Sequence, residues 1–182
     1  RAMQARFHGD REQAARVWET AEHLYDQVAA DWDLERPPSA QLLRWAADLH
    51  EIGLDIAHAA HHRHAAYLLA HADLAGFSTG AQRILAAMVG HHRRKFRQEL
   101  TDGVPKDWRD RTLRLTVLLR VAVVLRHNRQ PDPLPEITAH TDGRTLSLSL
   151  PPGWLDERPL TQADLAQERK YLDSVGIKLK FK

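Results

Sequence analysis

The sequence contains no cysteine among its 182 residues. This excludes disulfide bonds and thiolate metal ligands, and it is compatible with a reducing compartment, so we expect a cytoplasmic protein. No apolar run approaches the ~20 residues that a membrane-spanning helix needs, and no signal peptide is recognisable, so we expect no membrane partner. Internal repeats and low-complexity segments are also lacking.

Strong overall charge is absent as well. The formal net charge is only +2, which by itself indicates neither a nucleic-acid nor a membrane partner. The local distribution is more informative, because five basic residues and no acidic residue lie between Arg83 and Arg97. Four of them form a short run, here called the basic segment: Arg93, Arg94, Lys95 and Arg97.

An initiator methionine is missing too, since the chain begins at Arg1 and enters a predicted helix almost at once. We therefore expect a fragment of a longer protein. A chain of 182 residues is long enough for one buried core, or for one core with a small appendage.

Apolar residues at three- and four-residue spacing predict five helices before residue 130, about 10–31, 39–52, 60–72, 78–93 and 107–128. Asp10, Ser39 and Ser78 are the expected N-caps of the first, second and fourth helix. The fifth helix is apolar around most of its circumference, which predicts a central position in the bundle.

The pattern changes after the proline-rich linker 131–135. Two alternating segments flank Asp142-Gly143, a sequence typical of a type I′ hairpin turn. A helix near 161–174 and a strand near 177–181 follow. We predict a mainly α protein: a helical domain over 1–130 and a small ββαβ domain over 131–182.

Histidine is abundant, and two clusters stand out. His50-Glu51 lies at the predicted end of the second helix, where Gly53 is expected to end the helix with positive φ, and His58, His61, His62 and His64 follow. His91-His92 precedes the basic segment. Such a set suits a metal-assisted phosphohydrolase that uses Mg, Mn, Fe or Zn, but packing and surface histidines are the more common explanation of such spacing. Spacing alone leaves both interpretations open.

Several motifs together resemble the C-terminal half of exopolyphosphatases, members of the exopolyphosphatase/guanosine pentaphosphate phosphohydrolase family. They are Leu49–Leu54, His62–Leu69, Asp73–Phe77 and Gly90–Lys95, and the resemblance covers essentially the whole chain. The second helix also resembles the helix that carries the His-Asp pair of HD-superfamily phosphohydrolases. The His-Arg-Arg-Lys run favours exopolyphosphatase, and a guanosine pentaphosphate phosphohydrolase remains the alternative.

Compared with the metal-binding HD pattern, the sequence departs at three positions. Gln13 stands where the first ligand histidine is expected, Glu51 replaces the aspartate after His50, and Val123 stands where the closing aspartate is expected. We predict a degenerate HD-like bundle with no metal, although an HD-type metal phosphohydrolase remains a second hypothesis.

The resemblance implies that hydrolysis takes place elsewhere. In such enzymes, two N-terminal actin-like domains with Gly-rich phosphate loops carry the catalytic glutamate and Mg²⁺, and nothing here resembles those loops. We therefore expect no catalytic residue and no cofactor in this chain. The resemblance also implies N-terminal partner domains and a homodimer.

The basic segment is the expected contact for inorganic polyphosphate, because Arg and Lys along a groove bind a chain of phosphates as they bind a nucleic-acid backbone. The predicted contact set adds neighbouring residues of the third and fourth helices: Arg63, His64, His91 and His92. The alternative is a solvated basic face at a helix end.

A second candidate set is Arg120, Arg126 and Arg129. Arg120 lies on an otherwise apolar helix, and an internal salt bridge and a phosphate contact are equally expected for it. Nucleic acid is an unlikely partner, because the five tryptophans fit packing roles and Phe96 is the only aromatic residue within the basic segment.

Overall fold

The computed structural model describes residues 10–55, 60–72, 74, 76–97, 101–129 and 133–182. Within these ranges six α-helices and three β-strands form. They are α1 Arg11–Val28, α2 Ser39–Leu49, α3 His61–His71, α4 Thr79–Gly90, α5 Arg109–Leu125, β1 Thr138–Asp142, β2 Thr145–Ser149, α6 Pro159–Asp173 and β3 Lys178–Phe181. This confirms the predicted mainly α protein with a small ββαβ appendage. His58 and the first two linker residues, 131 and 132, lie outside the described ranges.

The helix starts follow from side-chain capping at two of the three predicted positions. Asp10 accepts a hydrogen bond from the backbone N–H of Gln13 at 2.9 Å, and Ser78 accepts one from Ala81 at 3.1 Å. Both satisfy a backbone donor that the first turn leaves without a partner. The prediction for Ser39 is wrong. Its hydroxyl donates to the carbonyl of Arg36 at 2.6 Å, and Pro38 occupies the cap position.

Helix α5 lies at the centre, as its apolar circumference predicts. It packs against α1, α2, α4 and α6, and residues such as Leu115, Leu118 and Val121 are fully buried. Each such side chain stabilises the fold by about 1.5–3 kcal/mol relative to an exposed position. One continuous core runs from α1 through the helices into the sheet.

The sheet has the order β1-β2-β3, with β1 and β2 antiparallel and β2 and β3 parallel. Alternation places Leu146, Leu148 and Leu179 on the buried face, against the core that includes Leu165 and Leu172 of α6. The hairpin turn differs from the predicted type. A type I′ turn needs positive φ at both central residues, whereas here Gly143 has φ 56° and Arg144 is not among the positive-φ residues.

Gly53 has a different role from the one expected. Helix α2 already ends at Leu49, and Gly53 lies within a short 3-10 turn, Ile52–Asp55. A Cβ atom at Gly53 would lie 1.9 Å from the carbonyl oxygen of His61 and 2.8 Å from the nitrogen of Ala65. Glycine is therefore required because α3 passes directly against this turn.

No helix in the described ranges is long and apolar enough to cross a bilayer.

Candidate functional site

The four positions of the HD comparison meet at one place. Gln13 of α1, His50 and Glu51 just after α2, and Val123 of α5 all line a cleft of about 560 Å³, here called the central cleft. Helix α6 forms the facing wall, which sequence reasoning did not anticipate. The other lining residues are Leu54, His61, His92, Arg93, Arg94, Val124, His127, Arg129, Asp164, Gln167, Glu168 and Tyr171.

The cleft residues do not fit a metal ion. The Gln13 amide donates to the carbonyl of Arg126 at 2.9 Å, so it ties α1 to the end of α5. Glu51 forms an ion pair with Arg129, which also pairs with Asp10 at 3.0 Å. A guanidinium group thus supplies the positive charge that the Glu51 carboxylate needs. Val123 offers no ligand, and among the described side chains no group of three His, Asp or Glu residues is arranged to hold a metal.

Two of the cleft histidines, His50 and His92, are held as neutral imidazoles. His50 Nδ1 bonds the carbonyl of Ala47 at 2.8 Å, and His92 Nδ1 bonds that of Val89 at 2.7 Å. Because a carbonyl only accepts, each Nδ1 carries the proton. Burial lowers the pKa of His50, and burial together with nearby His50 lowers the pKa of His92 well below its usual value. At neutral pH these rings therefore contribute polar atoms and no charge.

Cations gather beside the four neighbouring rings of His50, His61, His62 and His92, here called the histidine cluster. An Arg93 guanidinium nitrogen lies 2.5 Å from His61 Nε2. Because a guanidinium group can only donate, His61 Nε2 is the acceptor of this hydrogen bond. Burial, followed by the charges of Arg93, Arg63 and Arg97, lowers the pKa of His62 from 6.5 to about 4. The three arginines that act on His62, together with Arg94 beside Arg93, are here called the cationic band: Arg93, Arg94, Arg97 and Arg63.

Arg120 belongs to the protein's internal structure. It is fully buried and pairs with Glu168, the Nη2···Oε2 distance being 3.0 Å. Its remaining donors bond the carbonyls of His91 and Arg94, the latter at 2.7 Å. Arg94 has φ 65°, a left-handed conformation that a non-glycine residue adopts only when its surroundings hold it there. Arg120 therefore fixes the backbone path of the basic segment.

The positive charges of Arg126 and Arg129, the other two residues of the second candidate set, are also paired within the protein. Arg126 donates to the hydroxyl of Thr20 at 2.9 Å and pairs with Glu19 at 3.3 Å, and Arg129 pairs with Glu51 and Asp10. For all three arginines the structure shows the internal salt bridge.

The predicted contact set is divided between the cleft and the outer surface. His92, Arg93 and Arg94 line the central cleft. His91 is buried, bonds the carbonyl of Ala87 at 3.0 Å and stacks on Phe96, and it does not line the cleft. The other predicted contacts lie on the surface or at its edge: Arg63, His64, Lys95 and Arg97.

Phe96 is not the exposed aromatic residue that its position in the basic segment indicates. It is half-buried beneath Arg120, whose guanidinium carbon lies 4.4 Å from the ring centroid. The exposed aromatic residue is Tyr67 of α3, with 66% of its surface accessible. Its spacing of four residues from Arg63 and from His71 is the sequence signal that would have indicated it.

Comparison with known proteins identifies the family. Residues 1–169 match the family model for "Ppx/GppA phosphatase, domain III". The chain is 33% identical over 171 residues to a protein of Aeromonas hydrophila subsp. hydrophila, covering 94% of this chain and 34% of that protein. It is 37% identical over 178 residues to a protein of Vibrio vulnificus, covering 96% of this chain and 35% of that protein.

Both relatives are named guanosine-5'-triphosphate,3'-diphosphate pyrophosphatase. The chain spans about a third of the length of these relatives. The match to domain III agrees with the family resemblance in the motifs and covers nearly all of the chain, including the residues around the central cleft. The chain therefore belongs to the Ppx/GppA phosphatase family, in which it corresponds to domain III.

Proposed function

We propose that this domain binds a chain of condensed phosphate, with inorganic polyphosphate as the first candidate. The observation that carries the proposal is a local excess of positive charge. Two of the three carboxylates of the central cleft already have a cation of their own, since Glu51 pairs with Arg129 and Glu168 with Arg120, and the third, Asp164, lies 3.0 Å from His127 Nδ1. No carboxylate in the described ranges forms an ion pair with Arg93 or Arg94.

The partial negative charge of nearby helix ends only partly explains why cations gather here. Helices α2, α4 and α5 all end at the cleft, and the partial negative charge of their C-termini favours nearby cations. That effect is worth about 0.3–1 kcal/mol per group and is confined to the last turn. The cationic band also includes Arg97 and Arg63, which are exposed and lie outside the last turns of these helices. Arginine offers a fork that matches phosphate oxygens.

The role of such binding is tethering. A polymer held in the central cleft stays attached while catalytic domains elsewhere in the protein remove its terminal phosphate, so the next phosphate arrives at high effective concentration. In this proposal the catalytic glutamate and Mg²⁺ belong to N-terminal actin-like domains, and the protein works as a homodimer. This chain supplies binding and no catalytic group.

A second candidate ligand is a guanosine polyphosphate. The printed name of the relatives supports it, because that name describes action on guanosine-5'-triphosphate,3'-diphosphate. The cationic band suits either ligand, since both present consecutive phosphates.

Replacement of Arg93, Arg94 and Lys95 together by alanine tests the proposal. We expect polyphosphate affinity at low salt to fall at least tenfold. The slope of log affinity against log salt should become shallower by about two, because each lost contact removes ~0.7 of released counterion. The matched control replaces Lys178, Lys180 and Lys182, which have the same total charge and are exposed at the end of the chain. This control should leave both quantities nearly unchanged.

Two results would contradict the proposal. One is an equal loss of polyphosphate affinity in the two triple variants, which would mean that only the net charge of the protein determines binding. The other is near-stoichiometric Mn, Fe or Zn in the purified chain together with phosphatase activity, which would favour the HD-type metal phosphohydrolase.

A further inference from the structure

Tyr67 is an aromatic residue that the fold leaves open to solvent. Among the described residues, the large hydrophobic side chains that are exposed are Tyr67 at 66% and Leu160 at 81%. The Tyr67 ring is not isolated, because it contacts the ring of His71 with centroids 4.5 Å apart and an angle of 47° between the planes. Tyr67 and His71 are here called the aromatic pair. The two rings support each other without being covered by the rest of the protein.

The aromatic pair continues a line of charge. Arg63, Tyr67 and His71 follow one another at four-residue spacing along the exposed side of α3, and residues at this spacing are neighbours on a helix surface. Helical side chains lean towards the helix N-terminus, which is the direction of Arg63 from Tyr67. The exposed side of α3 therefore presents a guanidinium group about one helical turn from the two rings.

Arg63 also belongs to the cationic band around His62. Arg63 is thus the residue that the cationic band and the exposed side of α3 share, and phosphates bound to it would lie about one helical turn from the aromatic pair. Inorganic polyphosphate gains nothing from an aromatic surface, since it has no apolar group to stack. A nucleobase gains from both parts, because it stacks on rings and its phosphates pair with arginine.

We propose that the aromatic pair binds the base of a nucleoside polyphosphate whose phosphates lie on Arg63 and Arg97. This proposal rests on the proposed function, because the cationic band must first bind the phosphates. It adds a base-binding position outside the central cleft. The position accepts any purine, because stacking on a flat ring does not distinguish the hydrogen-bonding groups at the edge of the base.

The test compares two ligands of similar charge, GTP and inorganic tripolyphosphate, with ATP as a third. The 182-residue chain should bind GTP and ATP about tenfold more tightly than tripolyphosphate, which is the range that base stacking on one aromatic residue gives. Tyr67→Leu keeps an apolar side chain without the ring and should reduce GTP affinity to the tripolyphosphate value. Tyr67→Phe keeps the ring and should retain the preference.

Leu160→Ala is the matched control, because it removes an exposed hydrophobic side chain from α6, far along the sequence from the aromatic pair. It should change none of the affinities. Tripolyphosphate affinity should also stay constant in every Tyr67 variant, since that ligand has no base.

The outcomes separate the two proposals. If tripolyphosphate does not bind, the proposed function fails. If tripolyphosphate binds and GTP binds no better, or if Tyr67→Leu keeps the GTP preference, the base site is wrong and the cationic band stands. If a single-stranded oligonucleotide binds more tightly than GTP and this depends on Tyr67, the surface serves nucleic acid and the nucleotide proposal is overturned.

Discussion

Arg120 decides how the basic segment is presented. An arginine in the middle of an apolar helix must find partners, because an unpaired buried charge costs several kcal/mol. Arg120 finds Glu168 and two backbone carbonyls, those of His91 and Arg94. The same contacts that neutralise its charge hold Arg94 in a left-handed conformation, between buried His92 and exposed Lys95. A buried ion pair thus acts as a positioning device for a binding surface.

Separating these two roles is possible with paired substitutions. Arg120→Met leaves Glu168 buried without a partner, so we expect the free energy of unfolding to fall by about 3–5 kcal/mol. Arg120→Met combined with Glu168→Leu removes both charges, and much of that loss should be recovered. Polyphosphate affinity should nevertheless stay reduced about tenfold in the double variant, because the two carbonyls have lost their donor. Urea unfolding and a binding titration measure the two effects.

The exposed pair of Arg144 and Asp110, whose nitrogen and oxygen lie 3.3 Å apart, provides the control. Arg144→Met should cost at most ~1 kcal/mol, as exposed ion pairs usually do. Full recovery of binding in the double variant would mean that Arg120 has no positioning role.

At the scale of elements, the contact between the 3-10 turn Ile52–Asp55 and α3 sets the geometry of the histidine cluster. Because a Cβ at Gly53 would overlap the His61 carbonyl, Gly53→Ala must push α3 away from the turn. We expect a loss of about 1–3 kcal/mol in the free energy of unfolding, the usual range for overpacking. Thermal or urea unfolding measures it.

Gly80 supplies the comparison within α4. A Cβ there would meet only the Pro105 side chain, at 3.3 Å, and the Ser78 hydroxyl, at 4.0 Å. Gly80→Ala should be neutral, or stabilising by about 0.5–1 kcal/mol, since alanine favours a helix over glycine. If both substitutions cost the same, close packing is not the reason for glycine at position 53.

These elements show what periodicity can and cannot predict. The central position of α5, the caps at Asp10 and Ser78 and the alternating strands are local patterns, and the structure confirms them. The close approach at Gly53 depends on where another helix lies. Tyr67 has apolar neighbours in sequence, Leu68 and Leu69, so only its four-residue spacing from Arg63 and His71 indicates that it lies on the exposed side of α3.

The residues of the site likewise divide into those that the sequence could predict and those that only tertiary packing brings together. Sequence comparison could predict that Gln13, His50, Glu51 and Val123 share one place, because each maps to a position of the same motif. It could not predict the wall that α6 contributes. Arg120 and Glu168 lie 48 positions apart in the chain, and only the docking of α6 onto α5 brings their side chains together.

For the whole molecule, the histidine cluster makes stability depend on pH. His50 and His92 are each 2% exposed and His62 is 9% exposed, and the pKa of all three lies below 6.5 in the folded chain. In the unfolded chain the same rings titrate near 6.5. Between about pH 6.5 and 4 the unfolded state therefore binds more protons than the folded state, and acidification favours unfolding.

We therefore expect the free energy of unfolding to be highest above pH 6.5 and to fall as the pH is lowered towards 4. The fall should reach about 1.4 kcal/mol per pH unit for each histidine that takes part. Urea unfolding from pH 7.5 to 4.5 measures this slope. His62→Asn removes one titrating ring and should make the slope shallower, while His140→Asn on the exposed side of β1 should leave it as it is. A slope that His62→Asn does not change would show that His62 is protonated equally in both states. In that case neither burial nor the charges of Arg93, Arg63 and Arg97 would lower the pKa of the ring, and the cationic band would not lie around His62.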